Sequence, residues 1–196
     1  MFENHMLSPN ELKKGMKILF NNEPHEVLEA KIMFKGRGHT VVQSRVKNLA
    51  TGSVTPQSFH PSDIFEEIEL KKFEAKFLYA QLGKNRYFFC EKNNPAKRFD
   101  LGKEQIGETS IFLTPNKIVE AIVFEDKIIN IALPVKSQLK VMETPPGVRG
   151  DRSQSGTKQA TLEGGAKVNV PLFVQEGDII EINTETGEYT RRMDKE

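Results

Sequence analysis

Apolar positions in this chain come in short, interrupted runs. MKILF (16–20), VLEAKIMF (27–34), TVVQSRV (40–46), KFLYAQL (76–82), RYFFCE (86–91), KIVEAIVFE (117–125), KIINIAL (127–133), AKVNVPLFV (166–174) and DIIEI (178–182) are rich in Val, Ile, Phe and Tyr. Several alternate between apolar and polar residues, which predicts strands with one face inward. Turn-forming clusters separate them: NNEP (21–24), ATGS (50–53), LGKN (82–85), PPG (145–147), EGG (163–165) and TETGE (184–188). Glu125-Asp126-Lys127 between two apolar runs predicts a tight hairpin. Only Pro9–Lys14, preceded by Ser8 as a cap, and Lys103–Gly107 read as helical. Many short strands with few helices predict an all-β fold of barrels or sandwiches.

Composition shifts near Glu69–Phe73, after the acidic run Asp63–Glu69, and again at the proline near Leu133–Val135. The expected domains are therefore 1–69, 70–133 and 134–196. Units of this size bury only ~60% of their unfolded surface, and closing each sheet into a barrel removes exposed strand edges. With 13 Phe and no Trp, the cores are expected to be Phe-centred. No apolar run approaches the ~20 residues of a membrane-spanning helix. MFENHMLSPNELKKG lacks the basic-then-apolar order of a signal peptide, so a cytoplasmic protein without a membrane partner is expected. Cys90, the only cysteine, lies in the aromatic strand Tyr87-Phe88-Phe89-Cys90 and reads as a packed core residue.

A formal net charge of +1 suggests no acidic partner, but that average conceals a basic block. From Ala30 to Ser62 there is no Asp or Glu, while Lys31, Lys35, Arg37, Arg45 and Lys47 fall within it. The stretch carries +5, and the remainder, with 23 bases and 27 acids, carries −4. Basic residues gathered on one hairpin are either the footprint of a nucleic-acid binder or a solvated strand face. Between strands 27–34 and 40–46 the sequence predicts a five-residue loop, Lys35-Gly36-Arg37-Gly38-His39. Its glycines permit close backbone approach, and its arginine can fork onto phosphate or stack on a base.

Enzymatic chemistry finds little support. His5, His25, His39 and His60 are scattered without metal-ligand spacing, and there is no nucleophile elbow, phosphate loop or dinucleotide fingerprint. No enzyme activity, cofactor or metal is expected. Arg149-Gly150-Asp151 spells an integrin-type tripeptide by coincidence.

The most specific motif is C-terminal. Lys158-Gln159-Ala160, Gly165, Val168-Asn169-Val170-Pro171-Leu172-Phe173-Val174 and Gly177 follow the pattern K-x-A…G…V-x-V-P-x-x-V-x-x-G. PPGVRGD (145–151) precedes it and TETGEYTRR (184–192) follows it. Leu12…Gly15…Ile18 and Leu49-Ala50-Thr51-Gly52 add N-terminal matches. On these residues the whole chain resembles the bacterial translation elongation factor P family. The resemblance implies three barrels, one SH3-like and two oligonucleotide-binding folds, in an L-shaped, tRNA-like arrangement. It implies a monomer that binds the ribosome beside the peptidyl-tRNA and relieves stalling at consecutive prolines. The loop Lys35, Gly36, Arg37, Gly38, His39 would reach the tRNA CCA end, with Lys31, Arg45 and Lys47 as further RNA contacts.

Counting back from Leu49-Ala50-Thr51-Gly52 puts Arg37 at the tip position that family members often modify; a two-residue shift would put Lys35 there. Many members have Pro-Gly-Lys-Gly with a lengthened lysine. Others carry a rhamnosylated arginine followed by Asn. Lys35-Gly36-Arg37-Gly38 is a hybrid of these, which leaves two readings of Arg37: rhamnosylated by a modifying enzyme, or used bare. Gly150-Asp151-Arg152 matches a loop that members place near the exit-site codon, although Ser or Thr usually follows Gly-Asp. Tyr189 and Arg192 match C-terminal ribosome contacts. Two other readings use the same residues: the elongation-factor-P-like paralogue, and a general single-stranded RNA binder built from oligonucleotide-binding folds. The latter needs aromatic platforms in a basic groove, whereas most Phe residues here fall within alternating strands.

Overall fold

A computed structural model describes residues 5–35, 39–146 and 156–193, with the backbone alone at Lys35 and His39. Sixteen strands are described, in three sheets. The first comprises β1 (Met6–Leu7), β2 (Lys17–Phe20), β3 (Glu23–Lys35), β4 (His39–Asn48), β5 (Val54–Phe59) and β6 (Phe65–Glu67), in the order β1-β6-β2-β3-β4-β5. The second comprises β7 (Lys71–Gln81), β8 (Arg86–Glu91), β9 (Asn94–Gly102), β10 (Ile118–Phe124) and β11 (Lys127–Ala132), in the order β11-β10-β7-β8-β9. The third comprises β12 (Lys136–Glu143), β13 (Thr157–Leu162), β14 (Lys167–Pro171), β15 (Ile179–Asn183) and β16 (Tyr189–Arg192), in the order β14-β13-β12-β15-β16. The fold is all-β with curled, half-barrel sheets. By its internal contacts the chain divides into two compact units. One is 1–73 with 104–107 and 121–130; the other is 74–103 with 108–120 and 131–196.

Local chemistry sets the turns. Asn21 and Asn22 sit at φ 52° and 62°, and Glu125 and Asp126 at 47° and 60°. Two successive left-handed residues form the hairpin turn whose twist matches that of its strands. Gly164 satisfies two demands at once. Its φ is +89°, and a Cβ there would stand 2.6 Å from the Ile111 carbonyl oxygen.

Several strands are absent from the apolar pattern. β5 carries Pro56 and β9 carries Pro95, and both lie at the edge of their sheets, where a missing N–H costs no ladder bond. In β12, Ser137, Leu139 and Val141 point inward between exposed polar residues. The expected helix at Pro9–Lys14 is a 3₁₀ turn over Pro9–Glu11, with Ser8 at its N-cap in a capping box with Glu11. The Glu11 carboxylate accepts from the Ser8 N–H at 2.8 Å and from its hydroxyl at 2.7 Å. The second expected helix, α1 (Lys103–Ile106), is one turn long and leads into 3₁₀ structure over Gly107–Phe112.

Phe-centred cores hold for two sheets. In the first, Phe20, Phe59 and Phe65 meet edge-on at centroid distances of 4.6–6.3 Å. In the second, Phe89 lies 5.4 Å from Phe77 and stacks on Phe99 at 5.3 Å. Cys90 is buried beside them, as read from the sequence. The third core corrects the expectation. It is aliphatic, built on Leu139, Val141, Leu162, Val170, Ile180 and Ile182, with Phe112 as its aromatic member. Phe173, inside the signature run, is instead 56% exposed. The reason is that Pro171 closes the β14 ladder and the chain turns back, with Val174 N–H donating to the Pro171 carbonyl.

Candidate nucleic-acid interface

The hairpin β3–β4 is the longest pairing among the described residues. Its register runs from His25↔Asn48 to Lys35↔His39. The ladder therefore extends one pair beyond the sequence reading and leaves three connecting residues. Those residues, Gly36, Arg37 and Gly38, lie outside the described residues, as do the side chains of Lys35 and His39. A bulge between Val27 and Glu29 resets the alternation, so that Ala30 packs on the core while Lys31 faces solvent. β2 pairs with β3 only over residues 23–26, and β5 pairs with β4 only over 42–47. Beyond those limits the hairpin is a two-stranded ribbon.

On the solvent face of β3–β4–β5, Glu29, Lys31, Gln43, Arg45, Gln57 and Ser58 line an open groove of about 440 Å³. Lys31 Nζ stands 2.5 Å from Glu29 Oε1, and Glu29 lies directly across from Arg45. The hydrogen bond and charge of Lys31, with Arg45 and Lys14 behind it, hold the Glu29 carboxyl below its usual range. So the stretch without acids in sequence borders an acid in space, one residue before it begins. The sequence signal was available: positions 29 and 31 share a strand face. Lys47 is half-buried, opposite Val54. Among the described residues neither Arg45 nor Lys47 forms an ion pair.

The C-terminal candidates divide differently. Gly150, Asp151 and Arg152 lie outside the described residues. Tyr189 is partly buried against the third core and lines an open groove of about 550 Å³ with Gln159, Lys167, Asn169 and Thr186. Arg192 is held by two partners. Its guanidinium is 3.7 Å from Asp178 Oδ2 and sits 5.3 Å over the Phe173 ring. Asp178 is only 2% exposed and also accepts the Gln175 N–H at 2.9 Å. Beside it, Glu181 takes Arg191 at 3.3 Å and Lys136 at 3.5 Å. The Lys136 contact is an ion pair only, leaving Oε1 without a hydrogen bond. Burial disfavours charge on Glu181, but Arg191 and Lys136 outweigh it and hold the carboxyl below its usual range. Sequence reasoning missed Asp178, Glu181 and Arg191 because their pairing is a cross-strand matter.

Among the described residues no helix is long and apolar enough to cross a membrane, and no three His, Cys, Asp or Glu side chains gather as metal ligands.

Comparison with known proteins adds an independent line. A family model described as the elongation factor P (EF-P) KOW-like domain matches residues 8–65, and one described as elongation factor P, C-terminal, matches residues 138–192. Elongation factor P of Carboxydothermus hydrogenoformans is 36% identical over 188 residues, covering 96% of this chain and 100% of that one. That of Thermotoga maritima is 37% identical over 187 residues, covering 95% and 100%. Among solved structures, eukaryotic translation initiation factor 5A from Methanococcus jannaschii is 13% identical and covers 67% of this chain and 92% of that one. Its TM-score of 0.48 is too low to bear on the fold.

Proposed function

The chain belongs to the elongation factor P family, which makes it a translation elongation factor. From that premise we propose that it binds the ribosome beside the peptidyl-tRNA and speeds peptide-bond formation at consecutive prolines. The observation that carries this reading is the long β3–β4 ribbon ending at a glycine-flanked arginine in a stretch without acids. A narrow ribbon can enter a site that the body of the protein cannot.

Catalysis here is by positioning, and no residue of the protein takes a proton. Proline is a constrained acceptor, and holding the CCA end in a near-attack geometry recovers orientational entropy; a misplacement near 1 Å costs ~100-fold in rate. Arg37 donates charge-assisted hydrogen bonds to the tRNA end, and Lys35 and His39 flank it. Lys31, Arg45 and Lys47 contact phosphates, which fixes register without a sequence code. Gly150, Asp151 and Arg152 contact ribosomal RNA, as do Tyr189 and Arg192. The net −4 outside the basic stretch discourages indiscriminate RNA binding. Arg37 is the proposed modification site. Intact mass and a peptide map over residues 31–45 of the natively produced protein would show an added deoxyhexose or a bare arginine. We also propose three domains with bounds at 1–69, 70–133 and 134–196.

The decisive experiment is in vitro translation through three prolines. Wild-type protein accelerates it, and Arg37→Ala loses that acceleration while still sedimenting with ribosomes. Wild-type speed from Arg37→Ala would sink the mechanism. Equal affinity for ribosomes and for free single strands would favour a general RNA binder instead.

A further inference from the structure

We propose that Asn130 is a positioning residue: its side-chain amide anchors the base of the β3–β4 ribbon and thereby fixes where the ribbon's far end lies. Asn130 interrupts the apolar run of β11, KIINIA, and is half-buried there. An amide in that setting needs a partner. Its Nδ2 donates to the carbonyl of Leu49 at 3.1 Å, across 81 residues of sequence. Residues 121–130 belong to the same compact unit as the first sheet. Within that unit Gln105, in the α1 turn, donates to the Ile129 carbonyl at 3.2 Å, so the strand that carries Asn130 is itself held.

Leu49 stands where the ribbon is rooted. The β3–β4 register begins at His25↔Asn48, and Leu49 follows directly. Leu49 is buried, and its N–H donates to the Pro24 carbonyl at 2.8 Å. Beside it the Asn48 amide donates to Glu23 Oε2 at 2.6 Å. Those two bonds tie the end of β4 to the start of β3, and so hold the ribbon's base together. The Asn130 bond does something different: it ties that base to β11. From His25 to Lys35 the ribbon runs ten residues, or ~33 Å at roughly 3.3 Å per residue. Over that length a tilt of about 2° at the base moves the far end by about 1 Å, the misplacement that costs ~100-fold in a positioned reaction. A hydrogen bond at the root therefore bears on chemistry at the far end. The positioning role rests on the proposed function, whereas the anchor rests on geometry alone.

The test uses the full-length, isotope-labelled chain and two measurements. Residual dipolar couplings report the direction of β4 relative to β11. In the wild type one alignment fits the amides of both strands, and in Asn130→Ala the β4 couplings shrink and no longer fit it. In three-proline translation Asn130→Ala lowers the rate at saturating factor about tenfold, part of the ~100-fold that a full 1 Å would cost. The factor concentration for half-maximal stimulation stays the same, which a loss of folded protein would raise. Asn130→Asp keeps the shape of the side chain without its donor, gives the same two results, and carries the test if the alanine variant does not fold. One alignment that still fits both strands in the variants overturns the anchor. A raised half-maximal concentration with the full rate retained overturns the positioning role. A wild type that fails to speed proline joining overturns the proposed function, and the couplings still decide the anchor. A wild type that speeds it while the Asn130 variants match that rate overturns the positioning role alone.

Discussion

Two hairpins at opposite ends of the sequence are closed by the same turn. β4 leads to β5 through Asn48-Leu49-Ala50-Thr51-Gly52, and β15 leads to β16 through Asn183-Thr184-Glu185-Thr186-Gly187. In each, the asparagine Oδ1 accepts the N–H groups two and three residues on, at 2.9 and 3.0 Å in the first and 2.9 and 3.2 Å in the second. In each, the glycine N–H donates to the asparagine carbonyl at 2.8 Å, with φ of +76° and +72°. The hairpins differ in how they use charge. Around the C-terminal turn, Lys136, Arg191 and Arg192 meet Glu181 and Asp178, two acids that are nearly buried. On the N-terminal sheet, Lys31 pairs with Glu29, Arg45 and Lys47 lie across from Glu29 and Glu26 without forming ion pairs among the described residues, and the chain then runs for 33 residues without an acid. Cations paired with buried acids hold a sheet together, whereas cations without such a pair are left to meet a partner. Counting basic residues does not tell the two apart.

Four sets of variants test that difference. The largest effect is expected at the surplus end: Arg37→Ala lowers the rate of three-proline synthesis by ~100-fold, the scale of lost positioning. It should leave the melting temperature unchanged, and a loss of stability would mean that the loop charge serves the fold. Next come the shared turns. Asn48→Ala and Asn183→Ala each leave two backbone donors without their acceptor and should each cost about 1–2 kcal/mol in denaturant unfolding. A large inequality between them would show that the turns are alike in geometry only. Third, Lys31→Ala with Arg45→Ala should flatten the dependence of log affinity for ribosomes on log salt, by roughly 0.7 for each phosphate no longer neutralised. Lys92→Ala should leave that slope alone, because its charge is already matched by Glu74.

The smallest effect is a pH dependence. Glu181 has a lowered pKa in the folded protein, so its ion pairs stabilise above the unfolded glutamate value, ~4.3. That stabilisation is lost as pH falls through the folded value. Thermal melts of Glu181→Gln should show a shallower decline in acid than those of the wild type. Parallel acid limbs would remove Glu181 from the account.

Much of the fold was legible. Glu125-Asp126 as a tight hairpin and Cys90 as a core residue followed from residue types alone. β5 and β9 were not legible, because a polar run with a proline is a strand only when a neighbour offers a ladder and the outer edge can stay bare. The site was legible in part. The glycine-flanked Arg37 and the acid-free stretch stand in the sequence, but the reach of Glu29 onto Lys31 and Arg45 depends on register. Phe34 is the sharpest case. It lies on the core-facing side of its strand, on the row of Ala30 and Ile32, and is nonetheless among the most exposed large apolar residues described.

Residue order alone settled the family, the all-β class, several of the turns and the charge surplus, because each is a property of residue type and short spacing. Packing and register decided which cations are matched, which strands are edges and where each core stops. Those depend on how many neighbours a strand has and on which residue lies across from which, and both are fixed between residues far apart in the chain.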